Sequence, residues 1–427
     1  MNGREAALKV LYEIDKNGAY CDKALKNQLE KCEVSDNDKR LASELVYGVT
    51  DKRRRLDYII ENYSSQKLKK LSVWILNILR MGVYQILFLD KIPGSAAVNE
   101  SVKLARRYGH NASAGFVNAV LRTVAREGDV RYTDNDIAIY YSVPDWLDSM
   151  LSGMYGREKT VKMYEAFSKP SPTTVRVNTL KAQPFEVKES LSEGGVHVMG
   201  TEYDDMLEIS DFGDISKLPQ YLDGLITPQD ISAYRVCTVL RPKPGERIID
   251  MCAAPGGKTT HIAQLCGNDA EITAFDIYSH KLDIINNNCR RFGITCVKTE
   301  LSDGTVYNEK YAAAADRVLA DVPCSGLGVI GKKFDIKWSR SPEGIDELIK
   351  IQNKIIANAG AYLKPGGVLV YSTCTLNKNE NEEVARRFAR ENSYEITFEE
   401  TIMPYSGSDG FYICKMRKGR SCGKTAY

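Results

Sequence analysis

The sequence predicts a multidomain chain with an all-α bundle, a small α+β subdomain and a doubly wound α/β domain, in that order. Three observations predict it. Apolar residues recur at helical spacing over residues 4–127, with no β-alternation of useful length. From Ser171 the pattern changes to short alternating stretches around one helix. Beyond Arg241-Pro-Lys-Pro-Gly245, strand-like and helix-like segments alternate, as in a mostly parallel sheet with helices on both faces. The expected divisions are residues 1–130, 131–225 and 226–427.

Bulk properties agree. A chain of 427 residues suits two or three domains at roughly 150 residues each. With 43% apolar and 27% charged residues, disordered, collagenous and fibrous classes are excluded. The start, MNGREAALKVLYEID, carries charge within five residues and no apolar h-region, so no secretory signal is read. The most apolar stretch, residues 71–89, is broken by Asn77, Arg80 and Gln85, which is too polar for a spanning helix. A cytoplasmic protein without membrane partner is therefore expected, and a monomer. The 11 cysteines include no C-x-x-C and meet only four histidines, so free thiols are expected and no metal.

Charge is unevenly placed. Residues 1–130 hold 22 Lys and Arg against 16 Asp and Glu, a balance of +6, which leaves −4 for the remainder. A basic first third beside a slightly acidic remainder fits a polyanion-binding module joined to a catalytic one.

Taken in order, Ala6, Ala7, Val10, Leu11 and Ile14 open the helical region, and Phe116, Val117, Val120, Leu121 and Val124 close it. Pro93, Gly94 and Ser95 separate the helix at 71–89 from one at 96–107, with Ser95 as expected N-cap, and Gly128 ends the last. Residues 131–170 read as a linker with two helices, the first opening at Pro144. TTVRVNTL (173–180) alternates as a strand, and PFEVKESLSEGG (184–195) reads as a helix ending in glycine. In the last domain, strands are expected at 247–250, 271–275, 294–298, 316–321 and 367–373, with a final pair near 394–398 and 411–416. The helices are expected at 257–266, 279–292, 344–362 and 379–391.

RIIDMCAAPGGKTTHIAQL (247–265) runs strand, small-residue turn, helix. Ala253, Ala254, Gly256 and Gly257 remove side-chain bulk where a ligand approaches the main chain and a helix N-terminus. The stretch lacks both G-x-G-x-x-G and Walker spacing, which lowers the rank of NAD and nucleoside triphosphates. Asp276 ends the next strand, where a carboxylate accepts ribose hydroxyls. Asp303 follows the third strand, placed for an adenine amino group or an ammonium. S-adenosylmethionine (SAM) fits best, since it has a ribose but no pyrophosphate and its cationic sulfonium suits acidic surroundings.

Two cysteines end two further strands. ADRVLADVPCSGLG (315–328) carries Asp321 and Cys324, and GGVLVYSTCT (366–375) carries Cys374. If these strands are neighbours, about 4.8 Å apart, both sulfurs border one crevice. Methyl transfer to oxygen or nitrogen needs no thiol. Pyrimidine carbon-5 does, because it becomes nucleophilic only after a thiolate adds at carbon-6. A base must then remove the carbon-5 proton to release the enzyme. Buried packing and a redox disulfide between the pair remain open alternatives at this point.

DMCAAPGGKT, DVPCSG and STCT, in this order with Asp276 and Asp303 between, resemble the RNA cytosine-5 methyltransferases of the NOL/NOP/Sun family. ITPQDISA (226–233) and TVRVNTLKA (174–182) resemble it too. REAALKVLYEID, ELVYGVTDKRRRLDYII, ILRMGVYQILFLDKIPGSAAVNESVKLA and GFVNAVLRTVAR resemble the NusB-like RNA-binding domain carried by bacterial family members acting on 16S rRNA. The resemblance implies a Rossmann-like class I SAM-dependent methyltransferase domain, with Cys374 as nucleophile and Cys324 assisting product release. It further implies cofactor contacts from Cys252, Ala253, Ala254, Pro255, Gly256, Gly257, Lys258, Asp276, Asp303 and Asp321. One departure stands out. The family's His/Arg-Pro-Asp-Ile-Lys-Trp run reads Lys333-Phe334-Asp335-Ile336-Lys337-Trp338 here, without the proline.

Outside the crevice, Lys52, Arg53, Arg54, Arg55, Arg106, Arg107 and Arg122 are candidate phosphate contacts, and Trp338 is a candidate platform for an unpaired base. The target base must leave any stack to reach two thiols in a crevice. The same chemistry on tRNA or another rRNA, and a non-catalytic RNA-binding assembly factor, are the competing expectations.

Overall fold

The computed structural model describes residues 1–32 and 34–419. Two compact units emerge, residues 1–164 with 333–339, and residues 165–332 with the chain from Arg340 onward. Among the described residues no helix is long and apolar enough to cross a membrane. Among the described residues ten cysteines are thiols and none is in a disulfide, and Cys422 lies outside the described residues.

The first unit is helical: α1 (Gly3–Asn17), α2 (Cys21–Glu30), α3 (Asp36–Asp51), α4 (Arg53–Tyr63), α5 (Val73–Phe88), α6 (Gly94–Tyr108), α7 (Asn111–Glu127), α8 (Ile137–Tyr140), α9 (Asp145–Tyr155) and α10 (Arg157–Phe167), the last running on past Tyr164. Asn2, Ser35 and Ser72 cap α1, α3 and α5 by accepting backbone N–H bonds. The predicted apolar stripes form one core, with Ala6, Ala7, Val10 and Leu11 of α1 and Val117, Val120, Leu121 and Val124 of α7 all buried. Helix α5 is buried on nearly every side. Its Arg80 is held by Asp57 at 2.6 Å and Asp15 at 2.7 Å, as a buried cation requires. Gly48 lets α3 and α5 meet, since a Cβ there would lie 2.0 Å from the Tyr84 ring.

Two expectations are corrected in this unit. Ser95 is not a cap: Pro93 is, its carbonyl accepting from Ala96 and Ala97, so α6 begins at Gly94. Several candidate phosphate contacts form ion pairs within the unit, with Arg107 still largely exposed. Arg53 pairs with Asp15 at 3.3 Å, Arg54 with Asp145 at 2.5 Å, Arg55 with Asp129, and Arg107 with Glu5 at 2.9 Å. Trp338 is likewise occupied. In the segment Lys333–Ser339, whose end forms the short helix α16 (Ile336–Ser339), Trp338 Nε1 donates to Thr50 O at 2.7 Å. Lys337 pairs with Asp51 at 2.8 Å, and Asp335 accepts from Cys21 N at 3.1 Å. The departure from the family's proline-containing run therefore falls in a segment anchored in the helical unit.

The second unit has two sheets. The smaller is antiparallel, ordered β2-β3-β1-β4, from β1 (Thr173–Val177), β2 (His197–Gly200), β3 (Met206–Ser210) and β4 (Ile226–Pro228). It carries α11 (Pro184–Glu193) and the short α12 (Pro219–Leu222). The larger has β5 (Arg247–Asp250), β6 (Glu271–Asp276), β7 (Val297–Leu301), β8 (Ala315–Asp321), β9 (Leu363–Thr373), β10 (Tyr394–Ile402) and β11 (Phe411–Lys418), ordered β10-β11-β9-β8-β5-β6-β7. The five strands from β9 to β7 are parallel, and β11 and β10 are antiparallel additions. Its helices are α13 (Ile231–Leu240), α14 (Gly257–Leu265), α15 (Ser279–Phe292), α17 (Pro342–Tyr362) and α18 (Glu382–Glu391). Separate apolar clusters line the two sheet faces, one around Val318, Leu369 and Tyr371, the other around Ile248, Leu319 and Val370.

Two boundaries differ from expectation for local reasons. Strand β7 starts at 297 rather than 294 because Asn268 Oδ1 takes the Thr295 and Cys296 N–H groups, at 3.0 and 3.2 Å. Helix α18 starts at 382 rather than 379 because Asn377 accepts from Asn379 N, a local turn that competes with the helix.

Candidate active site

The predicted site residues gather at the carboxyl ends of the parallel strands, where an open α/β sheet forms its crevice. After β5 the chain turns through residues 251–256 into α14. Gly256 takes φ +101°, a region closed to most side chains, and a Cβ there would press on Ile285 at 3.4 Å. Ala253 N donates to Phe275 O at 2.8 Å and Gly256 N to Ala253 O at 2.7 Å, which fixes the turn beside β6. The unpaired N–H groups of the α14 N-terminus open beside it.

Two carboxylates follow on neighbouring strands. Asp276 ends β6, its Oδ1 accepting from Tyr278 N at 3.0 Å. Asp303 follows β7, and its Oδ1 accepts from Thr305 N and Oγ1 at 2.9 and 2.7 Å. Asp321 ends β8. Its Oδ1 accepts from Ser372 Oγ at 2.8 Å and its Oδ2 from Lys258 Nζ at 2.7 Å, which joins the loop, β8 and β9.

Strands β8 and β9 are parallel neighbours, with Asp321 in register with Ser372. The loops leaving them bring Cys324 Sγ and Cys374 Sγ to 3.2 Å. Their backbones are stitched by Val322 N to Ser372 O at 3.1 Å and Gly328 N to Cys374 O at 3.0 Å. Beneath the thiols lies a fully buried carboxylate, Glu380. It accepts from Ser325 N at 2.8 Å, Ser325 Oγ at 2.5 Å, Gln352 Nε2 at 2.9 Å and Asn377 Nδ2 at 3.1 Å. Gln352 also donates to Pro323 O at 3.0 Å, and Asn381 Nδ2 to Thr375 O at 2.9 Å. Both cysteine loops are thereby clamped on one carboxylate.

Family models match the chain along three stretches: the NusB family over residues 1–126, the ferredoxin-like domain of RsmF/B-like methyltransferases over 143–216, and the 16S rRNA methyltransferase RsmB/F over 237–417. A probable ribosomal RNA small subunit methyltransferase B of Bacillus subtilis is 35% identical over 97% of this chain and 98% of its own. The chain belongs to the RsmB/F family of 16S rRNA methyltransferases. Ribosomal RNA small subunit methyltransferase B of Proteus mirabilis is 31% identical over 98% of this chain and 99% of its own. Among solved structures, PH0851 superposes with TM-score 0.81 at 26% identity, covering 97% of this chain and 98% of its own. A methyltransferase homolog from Pyrococcus horikoshii gives TM-score 0.59 at 29% identity over 67% of this chain and all of its own. The expected order of a NusB-like helical region, a small α+β subdomain and a Rossmann-like domain holds for this family member, and the matching model describes the middle part as ferredoxin-like.

Charge in the crevice is strongly organised. Burial pushes Asp250 up to about 6, against the Thr259 hydroxyl bonded to it at 2.7 Å. Cys252 is driven well above its ordinary value by burial and then by Asp250, Asp321 and Asp276, so the loop looks onto concentrated negative charge. Lys258 is pulled down by burial, but Asp321 outweighs this, with Cys237 and Cys374 adding to the effect, so it stays cationic. Cys324 is held well above the usual thiol range, first by its hydrogen bond to Cys374 and then by burial and by the charge of Cys374 and Glu380. Cys324 therefore keeps its proton at neutral pH.

Two contributors were not read from sequence. Arg176, in the alternating stretch TTVRVNTL, is fully buried, and burial lowers it to about 10. Its Nη1 donates to Gln229 Oε1 at 2.5 Å and Gly257 O at 3.0 Å, and its Nη2 to Thr260 Oγ1 at 3.0 Å, which holds the first turn of α14. An arginine between valines was the available signal. Glu380, in LNKNENEE, carries the pattern of an exposed helix start and no local sign of burial. Replacing it with Gln puts an N–H₂ against donors that need an acceptor, at about 1–3 kcal/mol. Glu380→Gln is expected to lower the melting temperature by several degrees and to slow methyl transfer. Calorimetry and single-turnover kinetics check both.

Proposed function

We propose that this chain transfers a methyl group from SAM to carbon 5 of a cytosine in 16S rRNA, through a covalent Cys374–pyrimidine adduct. The observation that carries the reading is the pair of sulfurs 3.2 Å apart at the ends of adjacent strands, beside the Gly256 turn. Family membership supports the RNA substrate, since relatives over nearly the full length are named as rRNA small subunit methyltransferases.

The residues fit SAM. Asp276 and Asp303 each spend Oδ1 on local backbone, which leaves Oδ2 for ribose hydroxyls and a donor group of the cofactor. The glycine turn admits a ligand to the α14 N-terminus, and the carboxylates acting on Cys252 suit a sulfonium. Cys252, Ala253, Ala254, Pro255, Gly256, Gly257, Lys258 and Asp321 complete the proposed pocket. Bound there, SAM supplies an electrophilic methyl.

The protein's own groups do the rest. Cys324 donates to Cys374, and the Lys258 cation lowers the cost of a Cys374 thiolate. That thiolate forms a bond to carbon 6, and the displaced π pair makes carbon 5 nucleophilic toward the methyl. Bonding to carbon 6 removes the Cys374 charge that helps hold the Cys324 proton, that proton leaves to solvent, and the Cys324 thiolate takes the carbon-5 proton. The freed C–H pair restores the double bond and expels Cys374 as thiolate. Asp321, fixed by Lys258 and Ser372, orients this edge of the site. A division into an RNA-binding region 1–130, a connecting region 131–225 and a catalytic region 226–427 goes with this reading. It implies a cytoplasmic enzyme.

Mapping 5-methylcytosine in rRNA and tRNA, with and without the gene, tests it. One 16S rRNA cytosine should lose its methyl group without the gene and regain it on complementation. An unchanged 16S rRNA, or loss confined to tRNA, overturns the substrate assignment.

A further inference from the structure

We propose that a basic groove at the opposite ends of these strands from the thiols is a second docking surface for the phosphate backbone of the RNA substrate. The proposal rests on the rRNA reading above and adds to it a location. The groove encloses about 910 Å³. Six cations line it, Arg235, Arg241, Lys243, Arg317, Lys415 and Arg417, against one carboxylate, Glu395.

Its position follows from the sheet. On the face covered by α13, strand β11 presents buried Ile413, then Lys415 and Arg417, as it runs away from the crevice. Arg417 lies in register with Val368, six residues before Cys374. At about 3.3 Å per residue the groove is roughly 20 Å from the nucleophile. No base held there reaches the thiols, but a folded RNA spans both places.

Three of the cations have structural partners. Arg235 pairs with Glu400 at 2.6 Å and Arg317 with Glu246 at 2.5 Å, while Lys415 Nζ donates to Val239 O at 2.7 Å near the end of α13. The other three, Arg241, Lys243 and Arg417, are exposed and form no ion pair among the described residues, with Arg417 opposite Glu395 across β10 and β11. A bare sheet face needs polar residues, but hydration alone calls for both signs. Here one sign crowds. Burial and then Arg317, Arg241 and Arg417 pull Lys415 below its ordinary range, so the cations of the groove act on one another.

Arg241 adds an independent observation. It caps α13 in the left-handed conformation at φ +52°, where glycine is the low-cost residue. Its side chain is exposed there and joins no ion pair among the described residues, so it is open to a phosphate. Several separated cations in a long groove, edged by Tyr203 and Phe398, suit an extended polyanion rather than one phosphate.

The test uses the full chain and deproteinised 16S rRNA. Combining Arg241→Gln, Lys243→Gln and Arg417→Gln is expected to raise the RNA Kd and KM about tenfold or more. It should flatten the plot of log affinity against log salt by about one unit of slope per residue. Both kcat at saturating RNA and SAM affinity should stay unchanged. Arg241→Gly alone should weaken RNA binding while keeping or raising the melting temperature, which separates ligand loss from misfolding. A triple variant with parental Kd and salt slope overturns the groove while leaving the rRNA reading intact. Parent protein that neither binds nor methylates 16S rRNA removes that reading, and the groove's role with it.

Discussion

Replacing Cys374 with serine is expected to reduce single-turnover methyl transfer by about a thousandfold or more while SAM binds with parental affinity. The argument is one of proton affinity. A hydroxyl in the same place holds its proton far more tightly than a thiol, and the features that favour a Cys374 thiolate are sized for sulfur. Those features are one lysine, Lys258, already shared with Asp321 at 2.7 Å, and one thiol donor, Cys324 at 3.2 Å. Neither brings a serine to the alkoxide at neutral pH. Because the substitution is nearly isosteric and the loop is braced from beneath by Glu380, the fold should be unaffected. Transfer of labelled methyl to 16S rRNA, with a parallel SAM titration, checks both halves. Turnover within tenfold of the parent protein would refute the assigned nucleophile.

How much of this was legible in sequence depends on the range of the interactions. The strand–helix alternation and the loop were legible because their signals are local, a period of two or 3.6 residues and small residues at a turn. So were the two thiols, since a cysteine just past a strand in an α/β sheet lands on the crevice wherever the strand lies. Their proximity was not. It depends on β8 and β9 being neighbours, which no local pattern states. Arg176 was hidden for the same reason. Alternation alone does not say that the first turn of α14 covers its face of the strand. Glu380 reads as surface because nothing nearby in the chain announces Gln352 or Ser325. Residues 333–339 lie between the two cysteine motifs in sequence, yet Trp338 and Lys337 are bound by Thr50 and Asp51, nearly three hundred positions earlier. The ion pairs of the α4 arginines were hidden because their acidic partners, Asp15, Asp145 and Asp129, are remote in the chain.

The second large effect concerns release rather than attack. Cys324→Ala is expected to accumulate RNA covalently joined to the protein, seen as a slow-migrating band on a denaturing gel that forms only with SAM present. Attack by Cys374 loses the Cys324 donor in the variant but keeps the Lys258 cation. Elimination needs the carbon-5 proton removed, and Cys324 Sγ lies 3.2 Å from the sulfur that forms the new S–C bond. The properties that make Cys324 a poor nucleophile, burial and the adjoining sulfur, are those that give its thiolate high proton affinity. Losing a positioned base slows a step by about 10²–10⁴-fold, enough for the adduct to outlast electrophoresis. The double variant Cys324→Ala/Cys374→Ser should show no band, which ties the adduct to the second sulfur. Rapid release by Cys324→Ala, with methylated RNA and no adduct, would assign proton removal to another group and leave Cys324 a packing residue.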